Sequence, residues 1–279
     1  MSRLSAGPAT PILRPVSGSA AFFDLDKTII ARSSALAFGR PFLASGLINR
    51  RAMLKAAYAQ FVFMIAGADA DQMERLRDEL TATVTGWPAQ QVRDIVAETL
   101  HEVVDPLIYA EAAALIEGHK AAGNAVVIVS SSGEELVGPI SEMVGADAII
   151  ATRLVEDEHG RYTGEIGYYA YGENKATAVR ELAARHGWDL AGCHAYSDSI
   201  TDVPLLAAVG HPVAVNPDRA LRRYATAQGW PIRTFSRPVP LRSWRRSSPV
   251  LASTAVGIGA VAIAGIAWYA AKRRRPASG

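Results

Sequence analysis

The chain has 279 residues, 49% of them hydrophobic, with 29 basic and 27 acidic side chains and a formal charge of +2. That supplies core for one large or two modest domains, and a charge so nearly balanced excludes a global polyanion-binding surface, so no nucleic-acid partner is expected. A single cysteine, Cys193, excludes an intramolecular disulfide framework, fits a reducing compartment and reads as a small buried residue beside a strand.

Residues 1–19 are rich in Pro, Ser, Gly and Ala without a continuous apolar stretch, and are expected to form a flexible arm rather than a secretory leader. Ala20–Phe23 then runs straight into Asp24-Leu25-Asp26-Lys27-Thr28. A short apolar run ahead of a polar turn reads as a buried parallel strand whose C-terminal end opens on a site. Carboxylates at i and i+2 repel unless a cation or a shared proton holds them.

Helical patterning follows. Ser33 or Ser34 caps a helix through Phe42 and Leu43, which Pro41 breaks or bends. Ile48 to Ala66 carries Leu54, Ala57, Tyr58, Phe61 and Ile65 at helical spacing; a further helix starts at Asp69 or Asp71 and stops at Gly86. Pro88 starts the next, and Pro106 another that runs through Lys120 to a stop at Gly123.

Strands resume at Ala125–Val129, which ends in Ser130-Ser131-Ser132-Gly133, and at Ala148–Ile150. Leu154-Val155 and Arg161-Tyr162-Thr163 flank Asp157–Gly160, a hairpin turn. Lys175–His186 is a helix, Ala191–Tyr196 a strand leading to Ser197-Asp198-Ser199, Asp202–Val209 a short helix, and Pro212–Val215 the last strand. This alternation implies a doubly wound, parallel α/β sheet built from residues 20–32 and 106–235, with residues 33–105 as a helical cap inserted after the first strand.

Residues 236–249 form a basic linker with Arg237, Arg242, Arg245 and Arg246. Residues 250–271 carry no charge, close with Trp268 and Tyr269, and are followed by the basic tail 272–279. Such a run is expected to be a single transmembrane helix; with both flanks basic the positive-inside rule does not orient it, and the lack of a secretory leader favours a cytoplasmic side for the domain ahead of it.

Asp24, Asp26, Thr28, Ser130, Lys175, Asp198 and Asp202 all fall at strand ends or in adjoining segments. Carboxylates, hydroxyls and an ammonium together suit phosphoryl transfer: one carboxylate attacks phosphorus, a second moves protons, and the ammonium and hydroxyls hold the phosphoryl oxygens. Hard oxygen donors suit Mg²⁺. The six histidines show no metal-ligand spacing and are assigned none.

The four motifs in this order resemble the haloacid dehalogenase superfamily, most closely its phosphoserine-phosphatase-like subfamily IB in a membrane-anchored bacterial branch, over about residues 20–217. The resemblance implies a HAD-like Rossmannoid core with Asp24 as nucleophile, Asp26 as general acid/base, and Thr28, Ser130 and Lys175 as phosphate-binding residues. It also implies Mg²⁺ held by Asp24, the carbonyl of Asp26 and Asp198, supported by Asp202. The activity implied is a Mg²⁺-dependent phosphomonoesterase that forms an aspartyl phosphate and selects its substrate through the cap. A phosphotransferase on the same intermediate, or a silent tethered binding module, are the alternatives. Two departures stand out: the fourth motif reads Ser197-Asp198-Ser199, and Ser33 replaces the amine-binding glutamate of phosphoserine phosphatases. The second makes a lipid-borne phosphomonoester as plausible a substrate as a small soluble one.

Overall fold

The computed structural model describes residues 18–48 and 81–240. Its strands are β1 (Ala20–Phe23), β2 (Ala125–Gly133), β3 (Ala148–Glu156), β4 (Tyr162–Tyr168), β5 (His194–Ser197), β6 (His211–Val215) and β7 (Ile232–Arg233). They form one sheet in the order β4-β3-β2-β1-β5-β6-β7, parallel except for the β3–β4 hairpin. From β1 the chain builds outward through β2 and β3, then returns to the other flank of β1 with β5. The switch point between β1 and β5 is where open α/β sheets leave room for a ligand.

β1 is buried on both faces. Phe22 packs edge-on against Trp188, and Phe23 stacks on Tyr196 at 4.5 Å on the opposite face. Each fully buried ring contributes about 1.5–3 kcal/mol. The helices described are α1 (Ser34–Ala37), α2 (Gly39–Ala44), α3 (Ala89–Val103), α4 (Ala110–Ala121), α5 (Glu134–Val144), α6 (Glu173–His186), α7 (Val203–Ala207) and α8 (Arg219–Gln228). The main core lies between the sheet and α6, α7 and α8, which contribute Val179, Leu182, Leu205, Leu206, Leu221 and Ala225. α4 and α5 pack on the β1–β3 half of the sheet.

The structure bears out the break expected at Pro41 and corrects several boundaries. The helix after Ser33 is two short pieces, broken at Phe38. Pro41 is the cause: its ring excludes the carbonyl of residue 37 from a continuous helix, but is tolerated in the first turn of α2, where its missing N–H has no intrahelical partner to lose. Pro106 opens only one 3₁₀ turn, Asp105–Leu107, and α4 begins at Ala110. Between them Ile108 is extended and bridges Ile30. The strand placed at Ala148–Ile150 runs on to Glu156, and the expected hairpin turn at Asp157–Gly160 joins it to β4. Leu190–Gly192 is a 3₁₀ turn that delays β5 to His194. Pro212–Val215 is not the last strand, because α8 and β7 follow. Gly86 and Gly123, where helices are expected to stop, both hold positive φ (80° and 82°), as does Gly187 (69°) after α6.

The insertion leaves and rejoins the core through two connections bonded side by side: Ala31 N donates to Leu107 O (2.8 Å) and Tyr109 N to Ile29 O (2.9 Å). Its second described part, 81–105, docks on the β3–β4 hairpin through Gly86 N to Tyr162 O, Ala89 N to Gly160 O and an Arg93–Glu156 ion pair at 2.8 Å. The expected helices over 48–66 and from Asp69 or Asp71 lie largely outside the described residues. So do most of the N-terminal arm and the expected membrane span at 250–271. Among the described residues no helix is long and apolar enough to cross a membrane.

Candidate active site

Asp24 is the first residue after β1, and its N–H donates to the carbonyl of Tyr196 on β5 (2.9 Å). That bond ties it to the strand that ends one residue before Asp198. Lys175, in the first turn of α6, is 2% exposed. Its Nζ donates to Asp24 Oδ1 and to Asp202 Oδ2, both at 2.8 Å. Ser197 Oγ also donates to Asp202 Oδ2 (2.7 Å). Three segments distant in sequence thus meet at one buried ammonium.

The electrostatics are those of a site short of positive charge. Burial raises the pKa of Asp24 to about 7 against the opposing pull of Lys175, with Asp202 and Asp26 raising it further. Asp198 is pushed well above the carboxylate range, first by burial and then by Asp24, while Lys27 works the other way. Burial disfavours the charge on Lys175, but Asp202 and Asp24 outweigh it and raise its pKa. Lys27, with φ of 61°, stands 3.8 Å from Asp198 Oδ2 and is itself a third exposed. Three buried carboxylates therefore face one buried ammonium and one half-exposed one.

Asp26 sits apart from that cluster's hydrogen bonds. Its Oδ1 accepts from Ser34 N (2.8 Å) and its Oδ2 from Ser132 Oγ (3.1 Å), while the hydroxyls of Ser34 and Ser132 lie 2.8 Å apart. Burial raises its pKa, and these hydrogen bonds act in the other direction. The arrangement depends on a bulge in β2: Ser130 pairs with Ala151 but Gly133 with Thr152, so Ser131 and Ser132 are extra residues in the strand. Ser130 is 1% exposed and accepts from Ser132 N (3.2 Å). Thr28 is fully buried, and among the described residues its Oγ1 and the buried Asp202 Oδ1 have no hydrogen-bond partner.

Of the seven residues read from the sequence, Asp24, Lys175, Asp198 and Asp202 are brought into one electrostatic cluster. Asp26 and Ser130 adjoin through Ser132, and Thr28 closes the loop below. Ser34, named only as a helix cap, Ser197, named only as a departure in the fourth motif, and Ser132 carry no site role in the sequence reading. A serine beside a turn carries no sequence signal of its own; only the bulge and the placement of Asp202 give these hydroxyls their partners.

The donor set suits a divalent cation. Lys175 takes Asp24 Oδ1, and a cation would offset the repulsion between Asp24 and Asp198. Among the described residues no three acidic, histidine or cysteine side chains form a ready-made cage. Mg²⁺ needs none, because it is bound by one or two carboxylates, waters and substrate oxygens.

The model of the haloacid dehalogenase-like hydrolase family matches residues 21–207. The chain belongs to this family. It is 59% identical over 261 residues to an "inhibition of morphological differentiation protein" of Streptomyces azureus, covering 92% of this chain and 94% of that one. To a probable phosphatase of Mycobacterium tuberculosis it is 57% identical over 263 residues, covering 93% and 91%. To a phosphoserine phosphatase of that organism it is 34% identical over 244 residues, covering 87% and 77%. Among solved structures, a Bordetella pertussis protein of unknown function superposes with a TM-score of 0.66 at 28% identity, over 77% of this chain and 97% of that one. A phosphoserine phosphatase solved as a phospho-aspartyl intermediate analogue superposes at 0.58 and 18% identity, over 81% and 97%, which is a likeness of fold.

Proposed function

We propose that this HAD-family enzyme is a Mg²⁺-dependent phosphomonoester hydrolase of the phosphoserine-phosphatase-like subfamily IB, working through an aspartyl phosphate on Asp24. The observation that carries the reading is the Lys175 clamp. It occupies one oxygen of Asp24 and orients the other for attack, in a site where hydroxyls and an ammonium can hold a phosphoryl group.

Asp24 attacks phosphorus in line, and the bond from phosphorus to the ester oxygen breaks. Asp26, in its protonated form, gives that oxygen its proton. Water then attacks the aspartyl phosphate, Asp26 takes a proton from it, and the phosphorus–carboxylate bond breaks to regenerate Asp24. Lys175 and Ser130 hold the phosphoryl oxygens, and Thr28 supports the loop between the two aspartates. Asp24, the carbonyl of Asp26 and Asp198 would hold Mg²⁺, with Asp202 in support; the ion would neutralise charge on the phosphoryl oxygens.

The cap selects the substrate, and residues 250–271 anchor the chain in the membrane with its catalytic domain on the cytoplasmic side. Ser33 offers no charge to a substrate amine, so the substrate is a small or lipid-borne phosphomonoester without strong preference for phosphoserine. The test is phosphate release from phosphorylated amino acids, sugars, nucleotides and lysophospholipids, with Mg²⁺ or EDTA, by wild type and Asp24→Asn. Release that requires Mg²⁺ and Asp24 is expected. Release insensitive to both, or none from any compound, refutes the reading. A wild-type preference for phosphoserine of a hundredfold or more over an amine-free analogue would overturn the inference from Ser33 alone.

A further inference from the structure

At the far end of the strands from the carboxylates, a pocket of about 620 Å³ opens at the starts of β5, β6 and β7. Side chains alternate faces along a strand. Ala195 and Ala214 turn into the main core, so His194, Tyr196, His211 and Arg233 turn to the other face. On that face His119 at the end of α4 meets Tyr196 and His194, and Tyr224 and Gln228 of α8 border the opening.

The pocket is walled with rings. His194 and His211 are register partners whose rings stack at 4.5 Å, and Tyr224 and Trp230 meet edge-on at 5.3 Å across the rim. Two donors without a carboxylate partner among the described residues, Tyr196 and Arg233, lie in its lining. Ser19 Oγ donates to Asn124 Oδ1, which turns the Asn124 amide nitrogen to His119 Nδ1 at 3.0 Å. His119 Nδ1 must then accept, so Nε2–H donates to the Tyr196 oxygen at 2.8 Å. The Tyr196 hydroxyl keeps its own proton, and among the described residues no acceptor takes it, although the residue is only 3% exposed. Arg233 is close enough to influence both Tyr196 and His119, and among the described residues no carboxylate pairs with it. No acidic residue lines the pocket.

We propose that this pocket is a second ligand site, separate from the carboxylate cluster, that takes a planar aromatic anion of nucleotide size. The ring walls accept the planar part by stacking, and Arg233 and the Tyr196 hydroxyl take the anionic end. The volume falls in the range of small-molecule sites. The site is independent of the reaction assigned above. It nonetheless touches it: Tyr196 stacks under Phe23, and its carbonyl holds the N–H of Asp24.

The test is calorimetric titration of the full chain with the hydrolysis-resistant methylene phosphonate of adenosine monophosphate. Arg233→Gln and His211→Ala each lie on the exposed rim, and Ser130→Ala probes the catalytic site. Affinity should fall tenfold or more in Arg233→Gln and in His211→Ala and stay within twofold of wild type in Ser130→Ala. Adenosine, without the charge, and inorganic phosphate, without the ring, should each bind at least tenfold more weakly. Loss of binding in Ser130→Ala with retention in Arg233→Gln would place the ligand in the catalytic site and overturn the proposal. So would wild-type binding no tighter than that of both rim variants.

Discussion

Lys175→Met removes the ammonium but keeps most of the side chain's apolar length, and so isolates the clamp. Lys175, Asp24 and Asp202 side chains are 3%, 9% and 1% exposed, and both contacts are 2.8 Å. Solvent screening therefore offers little relief. Breaking a buried pair by deleting one partner costs about 3–5 kcal/mol, because the remaining charge is left uncompensated. For a domain of this size each kcal/mol moves the melting temperature by about 2–4 °C, so a fall of about 6–20 °C is expected at pH 7.5 in EDTA, where no divalent ion can substitute. Asp202→Asn in the Lys175→Met background should return at least half of that loss, since it removes one of the stranded carboxylates. Differential scanning calorimetry of wild type, both single variants and the double variant gives the coupling directly. A loss below about 1 kcal/mol in Lys175→Met, the size of an exposed pair, would refute the clamp.

Three further outcomes follow from the same geometry. Ser132→Ala should lower kcat about tenfold and shift its acidic limb, because Asp26 loses the donor to Oδ2; Ser132→Thr should restore the pH profile, and an unchanged profile in the alanine variant would show that Ser132 does not position Asp26. His119 is held neutral, its pKa lowered to about 4 first by burial and then by His194 and Arg233. Because the folded pKa lies below the unfolded one, its contribution is fully present above about pH 6.5 and is lost as pH falls toward 4; after discounting for partial exposure the loss is about 1–2 kcal/mol, and His119→Gln should flatten that part of a melting-temperature profile. A Cβ on Gly210 would fall against the backbone carbonyl of Ala191, so Gly210→Ala should cost about 1–3 kcal/mol or more by denaturant titration. Gly187→Ala, which meets only its own positive φ, should cost about 1 kcal/mol.

Asp24 was legible as a site candidate because it ends an apolar run, and a buried strand that ends in acid has few structural uses. Lys175 was legible only in the company of the other motifs; by itself it is a lysine at the start of an amphipathic helix. Ser132 was not, since the bulge that aims it at Asp26 depends on how β2 registers with β3, a long-range pairing that Ser130-Ser131-Ser132-Gly133 does not encode locally. The three histidines illustrate the same limit. His119, His194 and His211 come from α4, β5 and β6, and their spacing in sequence carries no trace of the stack that register gives His194 and His211 or of the edge-on approach of His119. Pro106 misled in the opposite way: it did start a helical turn, but the pairing of Ile108 with Ile30 overrode the local preference for continuing it.

The side-by-side bonding of the two cap connections has an evolutionary consequence. Ile29 to Ala31 and Leu107 to Tyr109 are knitted together, and the chain near residue 239 adds a third thread through Val239 N to Ile108 O. Seen from the sheet, everything between residues 31 and 107 is a loop whose ends are already closed. Doubling such a loop costs only about 0.6 kcal/mol in closure entropy. Insertions, deletions or exchange beyond Ser34, whose N–H holds Asp26, can therefore accumulate without disturbing the carboxylate cluster, provided the seam survives. Selection can then act on the inserted segment while leaving the carboxylate cluster fixed.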